Sequence, residues 1–161
     1  MTPEEDSKAQ DFALSYLLEV EYLDSRPPSA SKAKIEFHLR YLVPIDSLEL
    51  GQATTQEVEL INVSEEPQGM SVAIIRVPSC LKLDVNQFEL LKNKGIFDHY
   101  EVAPDLSSYT IYWTSIKPYK GQESERKMTS ITLVRDFAGN RCQERASVAY
   151  LYYDNEKKLY V

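Results

Sequence analysis

Two cysteines, two histidines, three lysines around one apolar run and one Asn-Val-Ser triplet are the residues of this 161-residue chain whose types could do chemistry. Cys80 and Cys142 could form a disulfide, but spacing does not say whether two backbones meet, so a bridge and two free thiols both stay open. A nucleophilic cysteine needs a histidine base and an orienting group beside it. His38 falls in a strand-like run and His99 follows a helix-like one, and no motif surrounds either. Two Cys and two His do not make a four-ligand structural zinc site. There is no HExxH, no GxSxG and no calcium-loop spacing, and five glycines are too few for a phosphate cradle. The expectation is therefore no enzymatic activity, no metal and no cofactor. Asn62-Val63-Ser64 is a candidate N-glycosylation acceptor. Lys82, Lys92 and Lys94 are candidate binding residues, because compact ammonium groups on a rigid element can enter acidic pockets of a partner. The alternative is a solvated helix face.

Composition limits what these residues can serve. Hydrophobic residues make up 43%, enough for one packed core. Lys plus Arg number 18 against 25 Asp plus Glu, a net charge of −7, which argues against a nucleic-acid partner. No apolar run is long enough to cross a membrane as a helix, so no membrane insertion is expected. The first residues, MTPEEDSKAQ, lack a basic and then apolar start and do not read as a secretory signal.

The elements that must position these residues read as strands. Runs at Leu17–Leu23, Ile35–Val43, Glu57–Val63, Ser71–Val77, Tyr109–Ile116, Met128–Phe137 and Ala146–Tyr153 are rich in β-formers. Lys157–Val161 could add an edge. In the second run Ile35, Phe37, Leu39 and Tyr41 share one face, with Glu36, His38 and Arg40 on the other. In the third, Val58, Leu60 and Asn62 fall on one side. Pro, Gly, Ser, Asp and Asn separate the runs, which predicts an antiparallel β-sandwich of seven or eight strands. Leu83–Gly95 departs from this pattern. Asp84 is an N-cap, Gln87 completes a capping box, Val85, Phe88, Leu90 and Leu91 give an apolar stripe, and Gly95 takes the left-handed position after the last turn. This is one short helix inserted between strands. Arg26–Lys32, with two consecutive prolines, is the best linker. It divides a flexible segment, 1–31, from the sandwich, 32–161.

The order of these pieces resembles the C-terminal receptor-binding domain of the α2-macroglobulin and complement thioester-protein family. Gly69-Met-Ser-Val-Ala-Ile-Ile-Arg-Val-Pro-Ser79 is similar to the family's opening Gly-Met-Ser strand. Leu81–Asn93 looks like its single receptor-facing helix, and Tyr100-Glu-Val like the start of the next strand. Tyr109–Ile116, Ala146–Asp154 and Lys158–Tyr160 resemble later strands in the right order. The resemblance implies a seven-stranded macroglobulin-like sandwich from a large secreted, extracellular protein of innate immunity, a protease inhibitor or complement-like opsonin. It implies neighbouring thioester and CUB domains, with residues 12–22 as the last strand of the CUB-like module. It also implies exposure on activation and recognition by a low-density-lipoprotein-receptor-family receptor. The alternative within the same resemblance is a structural domain of a thioester-containing opsonin or protease trap with no receptor role. Three departures stand out. Cys142-Gln-Glu-Arg145 is not the family's thioester run, the second of two receptor-binding lysines falls on Asn86, and Leu151 replaces an aspartate of the last long strand.

Overall fold

The computed structural model describes residues 27–139 and 141–161. Its elements are β1 (Ile35–Tyr41), β2 (Ala53–Asn62), β3 (Ser71–Arg76), β4 (Leu81–Leu83), α1 (Asn86–Asn93), β5 (His99–Val102), β6 (Ser108–Trp113), β7 (Lys127–Arg135), β8 (Val148–Leu151) and β9 (Asp154–Tyr160). They form two antiparallel sheets, in the orders β1-β2-β7-β4 and β5-β6-β3-β8-β9. The architecture is an all-β sandwich with one short helix, as the alternating pattern predicts.

Alternation drives the packing. β1 alternates buried and exposed with Ile35 and Phe37 inward, and β6 buries Tyr109, Ile111 and Trp113. Val58 and Leu60 of β2, Ile75 of β3 and Ile131 and Leu133 of β7 are fully buried between the sheets. Burying a side chain of this size contributes about 1.5–3 kcal/mol. The same interior holds one polar chain. The Tyr109 hydroxyl donates to Gln56 Oε1 (2.7 Å), and Gln56 Nε2 donates to the Tyr41 hydroxyl (2.9 Å). Buried polar groups persist where each finds a partner.

Nine strands stand among the described residues where the β-former runs predict seven or eight. β4 and β5, of three and four residues, are too short for a period-two signal, and the family resemblance marks a strand start only at Tyr100 of β5. β4 takes Leu81–Leu83, which the family resemblance assigns to the start of the helix. The expected strand at Leu17–Leu23 lies outside the described residues. Of the segment expected to be flexible, Ala30 N–H donates to the Lys158 carbonyl (2.9 Å), and Ser29 Oγ accepts from Tyr160 N–H (2.8 Å), along the outer edge of β9.

The helix forms much as its sequence dictates. Val85 already has helical angles (φ −71°, ψ −23°), and the Asp84 carboxylate accepts from the Asn86 N–H (3.0 Å). At the other end Gly95 has φ +72°, its N–H donates to Lys92, and the Ile96 N–H donates to Leu91 (3.1 Å). That pair of bonds is the Schellman motif, which requires the left-handed residue that glycine supplies. The capping box is not formed. Gln87 instead turns outward to β7, accepting from the Thr132 N–H (2.7 Å) and donating to the Thr132 carbonyl (3.0 Å). It closes a backbone edge that β4 is too short to cover. From the other face of the helix Phe88 enters the core against Tyr100 and Tyr109, with ring centroids 5.2 and 5.1 Å away. The helix thus closes one open side of the sandwich, between the edges β4 and β5.

Candidate functional site

The three candidate lysines sit on two elements. Lys82 is the middle residue of β4. Leu81 and Leu83 turn into the core, so its own side chain projects outward, 64% exposed, with Nζ 3.9 Å from Asp136 Oδ2. Lys92 lies in the last turn of α1 and Lys94 at its C-cap, where the helix dipole favours cations. Neither forms an ion pair among the described residues. Lys82 lines a groove of about 520 Å³ with Arg76, Asp105, Asp136, Phe137 and Arg145. Lys92 lines another, of about 570 Å³, between α1 and β5. The lysines therefore lie on consecutive elements, β4 and α1, and no single concavity collects them. Asn86, at the position of the missing lysine, begins the helix, and its amide donates to Asp84 (3.0 Å).

Cys80 and Cys142 form a disulfide, with Cα atoms 5.1 Å apart. It ties the β3–β4 junction to the segment before β8. Beside it the Ser79 N–H donates to the Gln143 carbonyl (3.0 Å), and the Gln143 N–H donates to Ser79 Oγ (2.9 Å). No free thiol remains among the described residues, so neither histidine has a cysteine to activate. His38 and His99 lie on the outer faces of opposite sheets, exposed, beside Glu36 (3.4 Å) and Glu101 (3.9 Å).

Asn62 needs correction. The candidate glycosylation acceptor is fully buried at the end of β2. Its amide nitrogen donates to the carbonyls of Glu66 (2.8 Å) and Ile116 (3.1 Å). Its oxygen accepts from the N–H and hydroxyl of Ser64 (2.9 and 2.6 Å). Every polar atom of the side chain is used and no space is left for a sugar. The Ser of the triplet folds the turn instead of marking an acceptor.

One surface has no counterpart in the sequence reading. Val72 points to the outer face of the five-stranded sheet, yet is only 2% exposed. Its cross-strand partners are Tyr112 on β6 and Tyr150 on β8, whose side chains flank and cover it. His99 continues the row beyond Tyr112 (ring centroids 5.5 Å), and Lys158 Nζ lies over the Tyr150 ring at 5.6 Å. Tyr152 and Tyr153, the latter 85% exposed, add to it at the β8–β9 turn. Strand runs alone show which tyrosines alternate outward, but the pairing β6-β3-β8 is what lines them up.

Ionisation follows burial. Desolvation pushes Tyr41 up to about 12, with the hydrogen bond from Gln56 opposing. Burial raises Tyr109 well above the usual tyrosine range, and nearby Tyr41 adds to the effect. On the surface the Tyr112 and Tyr100 hydroxyls are raised, by desolvation first and then by donating to Glu101 and Glu89. These tyrosines are neutral at physiological pH; Tyr109, Tyr100 and Tyr112 serve as donors, and Tyr41 accepts from Gln56.

No protein-family model matches this chain, and no curated protein matches it.

Proposed function

We propose that this chain is a non-enzymatic recognition domain of the α2-macroglobulin-like type, which presents the β4–α1 corner to a receptor of the low-density-lipoprotein-receptor family. The observation that carries the reading is the placement of the helix. It bridges the edges of both sheets and carries Lys92 and Lys94, which form no ion pair among the described residues, while the exposed Lys82 lies on β4, the strand that leads into the helix. Ammonium groups on an element fixed at both ends suit acidic, calcium-organised pockets of a partner. In this reading the parent protein is secreted, as a protease inhibitor or complement-like opsonin, and the corner becomes accessible on activation. The test is binding of the purified chain to immobilised low-density-lipoprotein-receptor-type acidic repeats, with calcium and after chelation. Calcium-dependent binding that falls at least about tenfold in Lys82→Ala is expected, since few anchors carry most interface energy. Binding unchanged in the Lys82→Ala, Lys92→Ala, Lys94→Ala triple variant refutes it.

A second reading is favoured by the tyrosine row. As a structural domain of a thioester-containing opsonin or protease trap, the chain would pack the outer face of β6-β3-β8 on a neighbouring domain, with indifferent lysines. Tyrosine enrichment and a low density of charge are what interface cores show. A Tyr150→Glu variant that disrupts assembly of the parent protein while the lysine variants do not would select this reading.

A further inference from the structure

A second binding feature lies on the other side of the helix. β5 is an edge strand of the five-stranded sheet. The Ala103 N–H donates to the Ser108 carbonyl (2.9 Å), and Glu101 stands opposite Thr110 in the same register. Antiparallel pairing alternates, so the backbones of Glu101 and Ala103 face β6 and those of Tyr100 and Val102 face outward. Among the described residues nothing bonds the N–H or C=O groups of Tyr100 or Val102 on that outer side. The other edges are managed differently. β9 is paired by Ser29 and Ala30, and the β7 edge beyond β4 is closed by Gln87. β1 is open but carries Glu36, His38 and Arg40 on its solvent side, and no helix stands beside it.

Beside β5 the open edge forms one wall of a slot. The opposite wall is α1, with Val85, Asn86, Glu89 and Lys92 facing His99–Val102 across about 570 Å³. The stacking of Phe88 on Tyr100, 5.2 Å between centroids, and the bond from the Tyr100 hydroxyl to Glu89 (3.2 Å) set the width of the slot in advance. A strand edge next to a helix is a geometry that an extended peptide can enter by adding one strand. Charge indicates which peptide. Glu89 on one wall and Glu101 on the other outnumber Lys92, and the chain as a whole carries −7. The Tyr112 hydroxyl donates to Glu101 (3.1 Å) and so holds that carboxylate in place.

We propose that an extended segment of a partner protein, carrying an arginine or lysine, adds as a strand to β5 and sets that basic side chain between Glu89 and Glu101. Tyr100 and Val102 supply the main-chain hydrogen bonds, and exposed Val85 receives an apolar neighbour of the basic residue. The ligand is opposite in sign to the one proposed for the lysines, so the two sites separate experimentally.

The test uses the full chain, labelled with nitrogen-15, titrated with the peptide acetyl-Thr-Val-Arg-Val-Thr-Val-amide. Three control peptides are used: one replaces Arg by Glu, and two carry N-methyl groups on the odd or on the even residues, each removing the donors of one edge only. Saturable amide shifts centred on Tyr100 and Val102, with slowed exchange of both amides, are expected with a Kd of about the high-micromolar range. The Glu control and the Glu89→Gln, Glu101→Gln double variant should each weaken binding about fivefold or more, because charge-assisted bonds are lost while side-chain shape is kept. The N-methyl register whose blocked edge carries the donors to β5 should fail to bind and the other should keep binding, whereas Lys82→Ala should bind the unmodified peptide normally. Absence of shifts at Tyr100 and Val102, equal binding of the N-methyl peptides, or shifts centred on β1 would overturn the proposal, whatever the receptor experiment shows.

Discussion

Asn62→Ala and Ser64→Ala both destroy the Asn-Val-Ser triplet, but the structure separates them. Asn62 is fully buried and makes four hydrogen bonds. When it is removed, the Ile116 carbonyl keeps the Gln68 N–H (2.9 Å) and the Glu66 carbonyl keeps the Ser64 hydroxyl (3.0 Å). The Ser64 N–H loses its partner. Four bonds at a net value near 1 kcal/mol, with both carbonyls still satisfied but one donor orphaned, come to a loss of about 2–4 kcal/mol. Ser64→Ala removes one bond to Asn62 and two further bonds in a more accessible turn, and leaves the Asn62 amide engaged, so about 1 kcal/mol is expected. With urea slopes of roughly 1–3 kcal/mol/M, the Asn62→Ala midpoint should fall by about 1–2 M and that of Ser64→Ala by well under 1 M. Urea unfolding followed by Trp113 fluorescence measures both, since that ring is wholly buried. Equal midpoints for the two variants, or a glycan found on Asn62 of the natively folded protein by mass spectrometry, would refute a structural role for this residue.

Two further outcomes follow from the same interior. Replacing Cys80 and Cys142 together by Ser removes a cross-link that closes a 62-residue separation, and should lower stability by roughly 4 kcal/mol on the chain-entropy account, readable as a loss of urea midpoint. A loss below about 1 kcal/mol would show that the unfolded chain is constrained there anyway. At alkaline pH, Tyr41, held up to about 12, and Tyr109, raised well above the usual tyrosine range by burial, stay neutral in the folded state while an unfolded tyrosine ionises near 10. Their contribution is therefore full below pH 10 and lost as pH rises through the folded values. Titration at 295 nm should leave these two tyrosines un-ionised until unfolding begins, and a smooth titration of all tyrosines near pH 10 with the fold intact would contradict their burial.

How much of this was readable from residues differs by feature. Fold class was readable because β1, β2, β6 and β7 each keep one apolar face, and period two survives without any tertiary information. The helix was readable through Asp84 and Gly95, whose effects are local. The family resemblance carries the helix back to Leu81, whereas Leu81–Leu83 pairs with β7 as a strand and the helix begins at Asn86. Gln87 suits a local capping box by sequence, but its amide is shared between the Asp84 carbonyl (2.7 Å) and the distant backbone edge at Thr132. Asn62 was misread for the same reason, since a triplet is local and burial is not. Neither the tyrosine row nor the β5 slot has a local signal. Each exists only once strands distant in sequence are paired, as Val72 is between Tyr112 and Tyr150.

The helix connects these observations physically. Eight residues are too few for a helix that stands alone in water. Its form depends on docking, and the docking is to both sheets at once. Gln87 holds β7 of the four-stranded sheet, while Phe88 packs on β5 and β6 of the other. A partner that grips this corner therefore meets a platform whose backbone is already ordered, and loses only the rotamer freedom of the long lysines. That loss is about 2 kcal/mol at most for each lysine immobilised, which can exceed the roughly 0–1 kcal/mol that an exposed ion pair returns. Lysines left solvated on a rim thus give selectivity more than affinity, and the anchoring role proposed for Lys82 requires a pocket that desolvates it. Tight binding at this end of the molecule has to draw on groups whose ordering is complete before the partner arrives, and the exposed backbone of β5 beside the helix is such a group.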